Sequence, residues 1–132
     1  MKRLIFSILI CLASITTFAQ NSPDAPVQNI STDSGVVYRL FSTLNMQTFI
    51  KLNTRNGQMW QVQWSLDIDP KYRFEDTLWI LPLVNKNQEK DGRFFLYPTT
   101  NIHTFILLDQ INGRMWQVQW GKEGDRWVIP IN

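Results

Sequence analysis

Cysteine and histidine are nearly absent from this chain. Its single cysteine, Cys11, lies in an apolar run near the N-terminus, and His103 is the only histidine. Once that run is removed, the chain has no thiol for a disulfide, a nucleophile or a thiolate metal site. A histidine-based triad or metal centre would depend on His103 alone. Thiol chemistry and multi-histidine sites are therefore excluded, and together with the acidic segment considered below this leads us to predict no catalytic residues, no resident cofactor and no metal site.

Long apolar runs are equally scarce, and the one that exists stands at the start of the chain. Lys2 and Arg3 precede the apolar segment 4–15, and segment 16–19 places small residues at the offsets of a cleavage site. This order predicts a secretory signal peptide over residues 1–19. The run is shorter than the ~20 residues that a membrane span needs. We therefore expect export to the periplasm or out of the cell, with no membrane attachment after cleavage.

An excess of positive charge is also missing once the leader is removed. The chain has 13 Lys and Arg against 11 Asp and Glu, and two of the basic residues lie in the leader, so 13 − 2 = 11 remain and the formal charge is zero. Lys and Arg form no run in the rest of the sequence. Because nucleic-acid binding leaves a basic footprint, the pattern argues against a nucleic-acid partner. It also argues against attraction to an anionic membrane surface.

One hexapeptide occurs twice. Residues 59–64 and residues 115–120 both read Met-Trp-Gln-Val-Gln-Trp, and an Asn-Gly pair precedes each copy. Asn-Gly between two apolar runs is typical of a β-hairpin turn, because both residues tolerate positive φ. In a strand, side chains alternate between faces, so the two Trp and the Val share one face and the two Gln share the other. This alternation predicts a half-buried antiparallel strand.

The repeat divides the chain into two similar units. Residues 20–34 are polar with two prolines and predict a flexible N-terminal arm. Residues 35–132 predict a single β domain, with repeat unit one at 35–84, a charged linker at 85–92 and repeat unit two at 93–132. The hairpins are offset by 115 − 59 = 56 residues and the apparent final strands, which begin at Trp79 and Trp127, by 48.

The expected fold is all-β, with about four antiparallel strands in each duplicated unit. Two such units are too few to close a propeller, which typically has four blades or more. We therefore expect them to pack face to face as a pseudo-symmetric sandwich or a small barrel, with the strand pairing between them left open. The shared core would then contain the hexapeptide tryptophans Trp60, Trp64, Trp116 and Trp120.

The second hairpin resembles one in short exported bacterial β-repeat proteins of unknown function. In those proteins an aliphatic run leads into Leu-Asp, a few residues, Gly and then Trp. Here Leu108-Asp109 is followed by Gly113 and Trp116, whereas the first unit has Asn53 in place of the Asp. The resemblance covers one hairpin in each unit. It implies export and β structure and brings no activity with it.

Candidate binding residues are polar or aromatic side chains outside the expected core. Glutamine amides offer both donors and an acceptor, which suits polar recognition, although they also keep a sheet soluble without charge. Two tyrosines in loops, and the histidine at a strand start, add possible contacts. The candidate binding set is Gln61, Gln63, Gln117, Gln119, Tyr72, Tyr97 and His103.

An acidic segment, 67–76, occurs only in the first unit. Its carboxylates could ligate calcium, which takes six to eight oxygens, or could act as the paired acids of a glycosidase. Pro70 interrupts the ligand pattern, and neighbouring Lys71 and Arg73 offer salt partners, so a solvated, self-neutralised loop is favoured. The four acids are Asp67, Asp69, Glu75 and Asp76.

Three functions remain open at this point. The leading one is an exported non-catalytic binding module for a protein of the envelope or extracellular space. The alternative is a glycan-binding module, which requires at least two Trp or Tyr exposed in one row, because a flat ring can stack on a sugar. The least favoured is a hydrolase that uses the acidic segment 67–76.

Overall fold

The protein was studied as a computed structural model that describes residues 24, 26–28, 30–31 and 33–132. The predicted signal peptide and part of the predicted arm lie outside the described residues. The described part of the arm contacts the first strand: the Gln28 side chain accepts a hydrogen bond from the Ser42 backbone N–H (2.8 Å) and donates one to the Ser42 carbonyl (3.0 Å). No helix in the described ranges is long and apolar enough to cross a membrane.

Eight strands form two four-stranded antiparallel sheets, each in the order of the chain. Two short 3-10 helices, Pro70–Tyr72 and Lys86–Gln88, lie in the connections. The prediction of an all-β fold with two duplicated four-stranded units is confirmed, and the units pack as a sandwich rather than a closed barrel. Sheet 1 contains β1 (Tyr38–Ser42), β2 (Thr48–Asn53), β3 (Met59–Gln63) and β4 (Phe74–Trp79). Sheet 2 contains β5 (Phe94–Pro98), β6 (Thr104–Asp109), β7 (Met115–Gln119) and β8 (Trp127–Ile131).

The Asn-Gly turns form the predicted hairpins, and both hairpins have the same register. Leu52 pairs with Met59 in the first, and Leu108 pairs with Met115 in the second. Gly57 and Gly113 adopt φ of 82° and 78°, values that L side chains rarely adopt. The preceding Asn56 and Asn112 do not adopt positive φ, so only the glycine of each pair behaves as expected. Each connection is a five-residue turn, in which the glycine N–H donates to the carbonyl of Asn53 (3.0 Å) or Asp109 (2.8 Å).

The last strand of the first unit differs from the prediction. The run from Leu78 to Leu81 was expected to form this strand, but β4 begins earlier, at Phe74, and ends at Trp79. Trp79 pairs with Met59 at the start of β3, across a register shift. Trp127 instead pairs with Gln119 at the end of β7, so Trp79 and Trp127 are not structural equivalents despite their similar surroundings.

The two copies of the hexapeptide face the core in opposite senses. We call the face with the hexapeptide Trp and Val residues the tryptophan face of each sheet, and the face with its Met and Gln residues the glutamine face. In sheet 2 the tryptophan face is internal: Trp116 is 7% exposed and Val118 is 0% exposed. In sheet 1 the glutamine face is internal: Met59 is 0% exposed, whereas Trp64 is 38% exposed.

The predicted shared core of four tryptophans is therefore wrong for the first copy. The neighbouring strand explains the difference, because cross-strand partners share a face. Trp116 pairs with Leu107, but Trp60 pairs with Lys51. Burying an ammonium group is costly, so sheet 1 turns its tryptophan face outward and buries the opposite one. The core contributed by sheet 1 is then Phe41, Ile50, Leu52, Met59 and Leu78.

A buried ion pair joins Arg93, just before β5, to Asp109 at the end of β6. The Arg93 Nε and Nη2 atoms donate to the Asp109 carboxylate at 2.9–3.1 Å, and the Asp109 side chain is completely buried. The same carboxylate accepts from the backbone N–H of Ile111, inside the turn. Burial acts to raise the pKa of Asp109, but the Arg93 and backbone hydrogen bonds and the charge of Arg93 outweigh it, so the pKa lies below its usual value.

The opposite burial of the two hexapeptides predicts unequal costs for the same substitution. Trp116→Ala should lower the free energy of unfolding by roughly 3–5 kcal/mol, because it empties a core site. Trp60→Ala, in identical local sequence, should cost less than about half of that, since the ring is only half-buried on an outer face. Urea unfolding of both variants checks this, and equal losses would contradict the unlike burial.

The ion pair predicts a specific double substitution. In the first unit Asn53 occupies the position of Asp109, and Val37 that of Arg93. Asp109→Asn alone should cost roughly 3–5 kcal/mol, because the buried Arg93 loses its counter-charge. Asp109→Asn combined with Arg93→Val should recover most of the loss. Urea unfolding at neutral pH measures both, and no recovery in the double variant would contradict the explanation.

The same carboxylate predicts acid sensitivity. Because its folded-state pKa is lowered, its contribution to stability is present above the unfolded pKa of ~3.9 and is lost as pH falls through the folded value. Unfolding free energies measured downward from about pH 5 should fall for the natural protein. They should fall less steeply for Asp109→Asn with Arg93→Val, which keeps every other carboxylate; equal slopes would contradict the assignment.

Candidate functional site

The candidate glutamines divide between the interior and the surface. Gln61 is 7% exposed and lies between the sheets, where its Oε1 accepts from the Gly121 backbone N–H (3.2 Å). The expectation that it projects to solvent is wrong, because sheet 1 turns its glutamine face inward. Gln63, on the same face, is half-buried. Gln117 and Gln119 lie half-buried on the outer face of sheet 2, as expected.

The other three candidates do not lie together. Tyr72 is in the first 3-10 helix, and the Nζ atom of Lys71 lies 4.7 Å from its ring centroid. Tyr97 is 45% exposed on the outer face of sheet 2, with its ring centroid 5.0 Å from that of Phe95. His103 is exposed at the start of β6, with its ring 4.9 Å from that of Trp120.

A cleft of about 400 Å³ opens between the ends of the two sheets. Trp120 forms part of its wall, and its buried Nε1–H has no hydrogen-bond partner among the described residues. The equivalent Trp64 Nε1–H donates to the Met46 carbonyl at 3.0 Å. The indole N–H that has a hydrogen-bond partner in the first unit, at Trp64, therefore has none at the equivalent Trp120 in the wall of the cleft. Three candidate residues line this cleft: Gln61, Gln63 and His103.

The outer face of sheet 1 is aromatic but carries a charged pair. Tyr38 is 55% exposed, and its ring centroid lies 6.2 Å from that of Trp60. The Lys51 Nζ atom lies 4.6 Å from the Trp60 ring centroid and 2.6 Å from the Glu75 carboxylate. The face therefore combines apolar rings with a half-buried ion pair that covers part of one ring.

The outer face of sheet 2 is more apolar and carries no charged side chain along its strands. Neither the glutamines nor Tyr97 alone indicated this surface, because β6 is apolar on both of its faces. The available signal was the spacing of two between Phe95 and Tyr97, and between Ile106 and Leu108, because residues two apart in a strand share a face. A contiguous exposed apolar surface of this kind is typical of a contact site. Its apolar members are Tyr97, Ile106, Leu108, Met115, Trp127, Ile129 and Ile131. Phe95 lies on the same face at the edge strand, but its ring packs edge-on against Phe41 of sheet 1, with the ring centroids 5.0 Å apart.

The acidic residues of segment 67–76 are dispersed by the fold. Glu75 and Asp76 are consecutive in β4 and point to opposite faces of sheet 1. Glu75 pairs with Lys51, and Asp76 pairs with Arg126 of the second unit (2.8 Å). Asp69 caps the 3-10 helix, and hydrogen bonds from Lys71 lower its pKa. No group of three or more potential metal-binding side chains occurs within the described ranges.

Comparison with known proteins returned no likeness. No family model, curated protein or solved structure matches the chain. The candidate sites therefore rest on the geometry of this structure.

The dispersed carboxylates predict no response to calcium. Three of the four acids already have cationic partners, and binding would require those pairs to break. The melting temperature should be unchanged up to about 1 mM calcium, the range in which extracellular calcium modules bind. A rise that disappears in Asp67→Asn with Asp69→Asn would instead place a cation in this segment.

Proposed function

We propose that the protein is an exported, non-catalytic module that binds a protein of the envelope or extracellular space. The observation that carries the proposal is the apolar outer face of sheet 2, where Ile129 is 53% exposed and Met115 is 40% exposed. Leaving such a surface in water forgoes about 25 cal/mol for each Å² that a partner would cover. Export is supported by the basic, apolar and small-residue order of segment 1–19.

A protein is favoured over a sugar because of what the aromatic rings already contact. The Lys51 ammonium occupies one side of Trp60 on the outer face of sheet 1. On sheet 2, Phe95 and Tyr97 pack on each other and lie among aliphatic side chains. Sugar stacking needs a free ring face with polar groups around it, whereas a protein partner matches aliphatic and aromatic area.

Glycan binding keeps one specific observation in its favour. Tyr38 and Trp64 are both at least one-third exposed on the tryptophan face of sheet 1, where they lie near opposite ends of the sheet. A titration of intrinsic fluorescence with envelope oligosaccharides tests this alternative. A saturable change that is lost in Tyr38→Ala would favour the glycan function over the protein function.

The proposed function predicts that one exposed isoleucine matters and another does not. Ile129 (53% exposed) lies on the outer face of sheet 2, whereas Ile80 (50% exposed) directly follows β4 of sheet 1 and is not part of that face. Ile129→Lys should reduce recovery of a partner protein from envelope and culture fractions by about tenfold or more, because a charge enters the apolar contact. Ile80→Lys should leave recovery unchanged. Recovery that is equal for both variants would overturn the assignment of this face.

A further inference from the structure

The internal contact between the two units joins unlike faces. The glutamine face of sheet 1 packs on the tryptophan face of sheet 2, and the sheets lie in the same strand order, with β2 near β5 and β4 near β8. A two-fold contact would place like faces together. The contact is instead head-to-tail, and a head-to-tail contact between equivalent units always leaves one free surface of each kind.

The two free surfaces are the repeat equivalents of the two buried ones. Leu40, on the tryptophan face of sheet 1, is 53% exposed, and its equivalent Leu96 is 0% exposed in the internal contact. Met115, on the glutamine face of sheet 2, is 40% exposed, and its equivalent Met59 is 0% exposed. Equivalents of residues that make the internal contact are thus exposed on the outside of the molecule. Phe95, at the edge of the free glutamine face, is an exception, because its ring packs on Phe41 of sheet 1.

A polar contact across the sandwich also has its counterpart outside. Gln61 Oε1 accepts from the Gly121 N–H, just after the second hexapeptide. At an offset of 56 the equivalents are Gln117, on the free glutamine face, and Ser65, just after the first hexapeptide. The same hydrogen bond can therefore form between Gln117 of one copy and the Ser65 N–H of another.

We propose that a second copy of this chain covers these surfaces. The tryptophan face of sheet 1 in one copy packs on the glutamine face of sheet 2 in the next, which repeats the internal contact between molecules. This inference names the partner for the surface used in the proposed function and rests on that surface. If the rotation between successive sheets closes, about two to four copies would supply the four to eight sheets of a propeller. If it does not close, the product is a filament.

An ion pair sets the strength of this contact below that of the internal one. The free tryptophan face has Lys51 where sheet 2 has Leu107, and Glu75 where sheet 2 has Val128. Both side chains would be desolvated when another copy covers them. A buried ion pair is often less favourable than apolar residues of similar volume. The contact between copies is therefore weaker than the covalently joined one and depends on protein concentration.

Two capping variants test the direction of the contact. Leu40→Glu blocks the free face of sheet 1, and Met115→Glu blocks the free face of sheet 2; both side chains are exposed, so folding should be retained. The natural protein should form species larger than one copy in sedimentation equilibrium. Each variant alone should be a monomer. An equal mixture should form a one-to-one pair and nothing larger, because one competent junction remains.

Two controls accompany these variants. Leu66 is 89% exposed in the β3–β4 connection, so Leu66→Glu should associate like the natural protein. Far-ultraviolet circular dichroism and the melting temperature show whether each variant folds. If a Glu variant unfolds, the milder Leu40→Ser and Met115→Gln replace it in the same mixing experiment.

A gain of association provides a second test. Lys51→Leu with Glu75→Val gives the free face the residues of the buried one, and should lower the dissociation constant between copies about tenfold or more. Adding Met115→Glu to this double variant should abolish the gain. Persistence of the gain would indicate nonspecific aggregation and would overturn the assigned contact.

Other outcomes separate this inference from the proposed function. The inference is overturned if the natural protein remains a monomer at about 1 mM, where even a contact of millimolar affinity would be half-formed. It is also overturned if Leu40→Glu alone still forms dimers, since that result indicates a two-fold contact through sheet 2. In either case, Ile129-dependent recovery of a different protein would leave the proposed function standing. Self-association without any other protein recovered would support the inference alone.

Discussion

The structure depends on the packing of one face of the repeat against the other. Sheet 1 offers Met59 and Gln61 to the interior, and sheet 2 offers Trp116 and Val118, from hexapeptides of identical sequence. Each strand of a sheet must follow the face chosen by its neighbours, because cross-strand partners lie on the same side. This single choice determines which tryptophans stabilise the fold, which glutamines reach solvent and which surfaces stay free.

Two positions where the units differ explain why the choice is made. Lys51 beside Trp60 prevents the tryptophan face of sheet 1 from entering the core, while Leu107 beside Trp116 allows it in sheet 2. The difference at Asp109 acts locally. Asp109 requires Arg93 as a buried counter-charge, whereas Asn53 manages the equivalent turn without charge and only its backbone-directed hydrogen bond remains. The two units therefore differ at pairs of contacting positions: Asp109 with Arg93 in the second unit, and Asn53 with Val37 in the first.

The sequence was sufficient for the strands of both hairpins, their turns and the duplication, because Asn-Gly turns and period-two alternation are local signals. It was not sufficient for the orientation of the sheets. Period two shows that Trp60 and Gln61 point to opposite sides, but not which side is internal, and the hexapeptide is apolar enough on both. The position of Gln61, and the apolar outer surface around Met115, follow from that undetermined choice. The start of β4 was missed because Phe74 lies in a charged segment and its register passes through a bulge.

The two free surfaces differ in the charge that they carry. The free tryptophan face carries the Lys51–Glu75 pair, which places charge over Trp60 and lowers the gain from covering it. The free glutamine face has the opposite tendency: Ile129, which is 53% exposed, stands where sheet 1 has Asp76. If both surfaces were simply to stay in water, polar residues would be expected on both. An apolar side chain at an exposed position of an outer face, where the other unit has a carboxylate, therefore supports the proposal that a partner covers that face.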